Sequence, residues 1–98
     1  MLFIATCTDK PDSLAKRMEV RPAHLAYLAT LVGARVRAAG ALLDPTAQTP
    51  IGSLLIFEAA DEAEVRAMLA RDPYAEAGLF ASVDVKPWRQ AVGAPLAG

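Results

Sequence analysis

Apolar and polar positions fall into blocks along the chain, and the blocks read as strands separated by helical stretches. Residues 2–8, LFIATCT, are β-prone and stop at the polar, proline-bearing DKPDS. That segment offers Asp12 or Ser13 as the N-cap of a short helix over LAKRME. Pro22 suits a first helical turn, where its missing N–H has no intrahelical partner to lose. A second, longer helix is therefore expected from about Arg21 to Ala39, ended by Gly40 in the place of a left-handed C-cap.

The second half is punctuated more sharply. ALLDP, residues 41–45, reads as a brief strand, TAQTP as a polar link, and GSLLIFEAA, residues 52–60, as a clear strand. Asp61 is placed to cap a helix over DEAEVRAMLARD, whose early acids and later arginines match the helix dipole. Its apolar stripe is Val65, Met68 and Leu69, and it should stop at Asp72, because Pro73 disfavours the α conformation in the residue before it. PYAEAG then leads into LFASVDVKPW, with Leu79, Ala81, Val83 and Val85 on one face and Phe80, Ser82, Asp84 and Lys86 on the other. Gly78 is expected to supply positive φ in that turn. The expected organisation is one domain over residues 1–89 and a loose tail over 90–98.

The order β, α, β, β, α, β is that of a ferredoxin-like fold, a four-stranded antiparallel sheet with its helices on one face. LLIF is apolar on both faces, so the second sheet face should also be covered, by a partner's sheet or around a small ligand. With 54% hydrophobic residues on 98 positions, a homodimer is the simplest cover, and two such sheets face to face make a dimeric α/β barrel. Ten basic and eleven acidic side chains are interspersed, which leaves no basic stripe for nucleic acid. The single cysteine, Cys7, precludes an intrachain disulfide and Cys-based zinc spacings, and its apolar strand suggests a packed thiol. MLFIATCT lacks a basic leader and a long apolar core, and no stretch has the length of a membrane span, so the expected location is the cytoplasm.

Five blocks taken in order, DKPDSLAKRMEVRPAHLAYL, AGALLDP, GSLLIFEA, DPYAEAGLF and VDVKPW, closely resemble the YciI-like proteins of the YCII-related family. The resemblance covers residues 1 to about 89. It implies a ferredoxin-like protomer that dimerises through its sheet, and a site built on a His and an Asp that map onto His24 and Asp72. ALLDP departs from the GP-containing segment typical of the family, and the following loop, TAQTPIG, is short. Loops there can border a pocket, so the ligand can differ from a relative's.

His24 is the only histidine, and imidazole is the side chain whose ordinary titration falls in the physiological range. Asp72 would orient it as in any base-and-orienter pair, although 48 residues separate them; otherwise His24 bonds to backbone and Asp72 caps a turn. Arg21 shares a helical face with His24 and Leu28, and either binds a substrate carboxylate or enolate or pairs with an acid such as Glu19. Ser53 shares a strand side with Leu55 and Phe57, so its hydroxyl either faces the pocket or only ends a strand. Tyr74 either donates its phenol to a ligand or packs over the second helix. Trp88 reads as an anchor for the tail or a dimer contact. No phosphate-binding glycine loop, metal-ligand pair or nucleophile elbow is present, and no cofactor or metal is expected.

Two functions fit this set. One is a small cofactor-independent enzyme of lyase or isomerase type, in which His24 moves a proton, Asp72 orients it, and Arg21 or Ser53 steadies an oxyanion. The other is a non-catalytic binding or accessory protein that uses the same pocket. A purely structural dimer would instead fill the pocket with side chains.

Overall fold

The computed structural model describes residues 1–97. The elements are β1 (Leu2–Asp9), α1 (Leu14–Ala29), β2 (Val36–Leu43), β3 (Pro50–Glu58), α2 (Glu62–Ala70), α3 (Pro73–Glu76) and β4 (Phe80–Trp88). The four strands form one antiparallel sheet in the order β2-β3-β1-β4, the ferredoxin-like α+β arrangement. Register rows explain the two faces. Val36, Phe57 and Phe3 lie in one row and Leu55, Ala5 and Val85 in the next, and all join Leu28, Val65 and Leu69 from the helices in one core. Both main helices therefore cover the same sheet face.

The opposite face carries Ala38, Ile56, Ile4 and Lys86 in one row and Gly40, Leu54, Thr6 and Asp84 in the next. Its centre is apolar and only half-buried in the single chain, while Asp84 and Lys86 pair on the exposed edge strand. At Gly52 on this face a Cβ would collide with the Cys7 carbonyl oxygen, so the close approach of β1 and β3 requires glycine.

The first helical region differs from the expectation of a short helix followed by a long one. Residues 14–29 are a single helix with Pro22 in its interior. Proline deprives the Met18 carbonyl of its helical partner, but Met18 and Pro22 are both on the exposed side, so the loss falls on the solvent face of the helix. The opposite side buries Arg17, His24 and Leu28 and holds the helix together across the proline. Ser13 occupies the N-cap position without a side-chain capping bond.

The expected helix end at Ala39–Gly40 is also corrected. The chain turns at Gly33, which has φ +87°, and β2 begins at Val36. Val36 is buried opposite Phe57, and the edge of β3 takes residues 36–43 as its ladder partner, which outweighs the helical propensity of RVRAA. Later signals agree more closely. Asp61 accepts a hydrogen bond from the Glu64 N–H at 2.9 Å, and Gly78 has φ +72°. PYAEAG holds a further helical turn, α3, with Asp72 as its N-cap. In β4 a bulge opposite Thr8 and Asp9 sets Phe80 against Asp9, so Phe80 packs on the helix-side core instead of sharing the face of Ser82 and Asp84.

Candidate active site

The site lies where α1 crosses α3 above the β1–β3 end of the core. Two long-range bonds anchor α1 there. The Tyr27 hydroxyl donates to the Met68 carbonyl at 2.8 Å, and Lys16 Nζ donates to the Ala77 carbonyl at 3.1 Å. Asp72, the N-cap of α3, is held by the backbone N–H of Tyr74 at 2.9 Å on Oδ1. That brings a carboxylate, 1% exposed, directly opposite the inner face of α1.

His24 Nδ1 lies 2.8 Å and 2.9 Å from the two Asp72 carboxylate oxygens. An acceptor-only carboxylate at this distance requires Nδ1 to carry the proton, which leaves the lone pair of the neutral ring on Nε2. Among the described residues Nε2 makes no hydrogen bond, and the only side-chain nitrogen or oxygen both sealed from solvent and unpartnered is Arg37 Nε. Nε2 is thus unpartnered but not sealed from solvent. The Tyr74 ring stacks on the imidazole, with centroids 3.9 Å apart and planes 17° from parallel. Tyr74 is 1% exposed, and burial pushes its phenol up despite the opposing charges of Arg17 and Arg21, so it remains a neutral hydroxyl at physiological pH.

Two residues that sequence reasoning did not single out complete the cluster. Arg17 Nε and Nη2 donate to Asp9 Oδ2 and Oδ1 at 2.7 and 3.0 Å, and Nη2 also donates to Ser53 Oγ at 2.8 Å. The Arg17 guanidinium carbon sits 4.6 Å from the Tyr74 ring centroid. Burial opposes the Arg17 charge, but hydrogen bonding and the charge of Asp9 outweigh it and hold the guanidinium above its ordinary value. Arg17 lies seven residues before His24, the signal that would have placed it on the same face had the helix been read through Pro22.

The residues anticipated from sequence are distributed as follows. His24, Asp72, Tyr74 and Ser53 are all buried in this cluster, Ser53 as an acceptor for Arg17. Arg21 is exposed at its rim, makes no ion pair among the described residues, and reaches Tyr74 only through its charge. A cavity of about 700 Å³ lies away from the site, between Leu2, Trp88 and tail residues such as Val92 and Pro95, and one of about 400 Å³ borders the cluster at Asp9, among Ser13, Leu14 and Ile51. Neither is lined by His24 or Asp72; in the single chain the imidazole is 7% exposed. Among the described residues no group of three or more His, Cys, Asp or Glu side chains could hold a metal ion, and no helix is long and apolar enough to cross a membrane.

Cys7 is fully buried next to this cluster, and burial, assisted by Asp72 and Asp9, pushes its thiol up to about 12. It is therefore protonated and enclosed at any physiological pH. A thiol reagent at pH 8 is expected to leave the native protein unmodified and to modify one thiol per chain in denaturant. Rapid stoichiometric reaction of the native protein would contradict this burial.

Residues 1–89 match the YCII-related domain. The chain belongs to that family. Protein YciI of Escherichia coli O6:H1 is 40% identical over 96 residues, covering 92% of this chain and 98% of its own. Among solved structures, the chain is similar to the 5-chloro-2-hydroxyhydroquinone dehydrochlorinase TftG of Burkholderia phenoliruptrix in complex with 2,5-dihydroxybenzoquinone. The TM-score is 0.83 at 37% identity, over 93% of this chain and 96% of that one. SnoaB, a cofactor-independent oxygenase of Streptomyces nogalater, superposes with a TM-score of 0.57 at 18% identity, over 93% and 94% of the two chains, and shares the fold. The protomer is thus a ferredoxin-like unit, and its structural neighbours are dimeric α/β-barrel proteins.

Proposed function

We propose that this YCII-related protein is a small cofactor-independent enzyme of lyase or isomerase type, acting on a small hydroxylated, ring-derived substrate. The carrying observation is the His24–Asp72 pair: Nδ1 is committed to the carboxylate and Nε2 is unpartnered beside a neutral phenol. In this reading Nε2 removes a proton from a substrate hydroxyl or from carbon beside a carbonyl, and Asp72 stabilises the resulting imidazolium. The electron pair released moves through the ring system. Either it expels a leaving group as an anion, or the proton is returned at another carbon; both outcomes are redox-neutral and use no cofactor. The Tyr74 hydroxyl donates to the substrate oxygen as charge develops there, Arg21 at the rim attracts an anionic substrate, and Ser53 acts by holding Arg17. The dehydrochlorinase relative, whose substrate is a chlorinated hydroxyhydroquinone, supports this substrate class.

The single histidine makes the test direct. In ¹⁵N-labelled protein at a pH where the ring is neutral, the imidazole should be one tautomer, with the proton on Nδ1; in Asp72→Asn that preference should be lost. An unchanged tautomer in Asp72→Asn would sink the orienting role. The rival expected from sequence, a non-catalytic binding protein, uses the His24 pocket; the groove of about 700 Å³ at Trp88, away from His24, favours a binding reading at that other place. It predicts ligand binding that survives His24→Gln.

The working unit in this proposal is a homodimer in the cytoplasm, with residues 1–89 as the domain and 90–98 as its tail. Its interface is the Ile4, Leu54 and Ile56 face, apolar at the centre and half-buried without a partner. Ile56→Asp puts a charge in the middle of that face and is expected to convert a dimer to monomer in sedimentation velocity. A native protein that sediments as a monomer would refute the assembly.

A further inference from the structure

The bond from His24 Nδ1 to Asp72, together with the Cβ tether, restricts the imidazole on one edge but leaves it room to tilt within the length of the hydrogen bond. The stack on Tyr74 supports the ring over its whole face and limits that tilt. Arg17 and His24 lie on one face of α1, two turns apart, with about 10.5 Å of rise between their backbones. That spacing admits one aromatic ring, and the Tyr74 ring occupies it, 3.9 Å from the imidazole centroid and 4.6 Å from the guanidinium carbon. Phe80 meets the same ring edge-on at 6.0 Å.

Arg17 is itself immobilised from the sheet. Asp9 on β1 takes two of its N–H groups and Ser53 on β3 accepts a third bond, with both acidic and basic side chains about 95% buried. A planar guanidinium gripped at two strands presents a flat, rigid cation to the tyrosine face, which a lysine ammonium cannot reproduce. Tyr74 in turn touches both members of the pair: its ring lies on His24 and its backbone N–H binds Asp72.

We propose that Arg17 is a positioning residue of the His24–Asp72 pair that acts through Tyr74. The guanidinium, set by Asp9 and Ser53, holds the tyrosine ring flat against the imidazole and so sets the direction in which Nε2 faces. The sheet register of β1 and β3 is thereby carried to the reactive nitrogen. This rests on His24 being the proton carrier proposed above, but its test reads ring position and needs no substrate.

The experiment follows the His24 ring protons, the only imidazole signals in the protein, which a stacked tyrosine displaces upfield. Tyr74→Leu defines the position without the stack. Arg17→Lys keeps the charge beside Asp9 but removes the planar face, and its His24 signals are expected to move toward those of Tyr74→Leu. Arg17→Met combined with Asp9→Leu leaves no unpaired charge and is expected to shift them in the same direction. Should neither variant fold, Ser53→Ala, which removes one hydrogen bond and spares the ion pair, is expected to give a smaller shift of the same sign. Native His24 positions in a folded Arg17 variant, or in Ser53→Ala where it alone folds, would overturn the proposal and leave Arg17 a purely structural residue. If no substrate is turned over by the native protein, the enzymatic reading fails while the ring-position result stands independently.

Discussion

His24→Gln is expected to lower turnover of a hydroxylated ring substrate by about 10²–10⁴-fold, the usual contribution of a positioned general acid or base. Glutamine can hydrogen-bond to Asp72 but has no titrating nitrogen to offer at the position of Nε2. Asp72→Asn should give a loss in the same range while leaving KM within a few-fold, because it changes the tautomer of His24 and not the surface a substrate meets. The pair acts as a unit, so the double variant should be little worse than either single one. The check is steady-state kinetics on hydroquinone-like or halogenated hydroxyquinol substrates. Equal kcat in native protein and His24→Gln would refute the assignment. A fully additive double variant would instead show that the two residues work apart.

Asp9→Ala is expected to destabilise the fold by about 3–5 kcal/mol, since it leaves the Arg17 guanidinium buried without its counter-ion. Both side chains of the pair are about 95% buried, so solvent screening gives little relief. Against a typical total of roughly 5–15 kcal/mol for a domain of this kind, that loss is large. With a urea m-value of about 2 kcal/mol/M, the unfolding midpoint should fall by about 2 M. Replacing both partners, Arg17→Met with Asp9→Leu, should recover much of the loss, because the expense lies in the unpaired charge and not in the absence of the bridge. Urea unfolding followed by circular dichroism measures both variants. A midpoint for Asp9→Ala within a few tenths of a molar of the native value would show that water reaches Arg17 and that the pair is not a buried one.

Much of the fold was legible in local signals. The β-prone runs LFIATCT and GSLLIFEAA mark sheet strands, and Asp61 before an acid-first, arginine-late segment marks a helix start. These signals act within a turn or two of the chain, and short-range sterics and capping decide them. The misreadings share one cause. At Pro22, and again over RVRAA, local preference was overruled by tertiary partners: a buried helix face in the first case and the open edge of β3 in the second. Splitting the helix at Pro22 also hid Arg17, because its two-turn spacing from His24 exists only in a continuous helix. Asp9 was hidden in a similar way, since a strand-ending acid before a turn reads as solvated until the fold brings Arg17 to it.

By itself, then, the sequence determined the broad alternation of strands and helices and the ferredoxin-like class, for which residue type and periodicity are enough. The resemblance to the YCII-related family is what pointed to His24 and Asp72 as a pair, and residue type and position added Arg21, Ser53 and Tyr74 as candidates. Tertiary structure alone decided that Nδ1 and not Nε2 meets Asp72, that Tyr74 lies between Arg17 and His24, and that Arg21 stays at the rim. These are matters of a few ångströms between groups up to 57 residues apart, from Arg17 to Tyr74. No local preference encodes such separations; they are settled by how two helices and a sheet close on a single core.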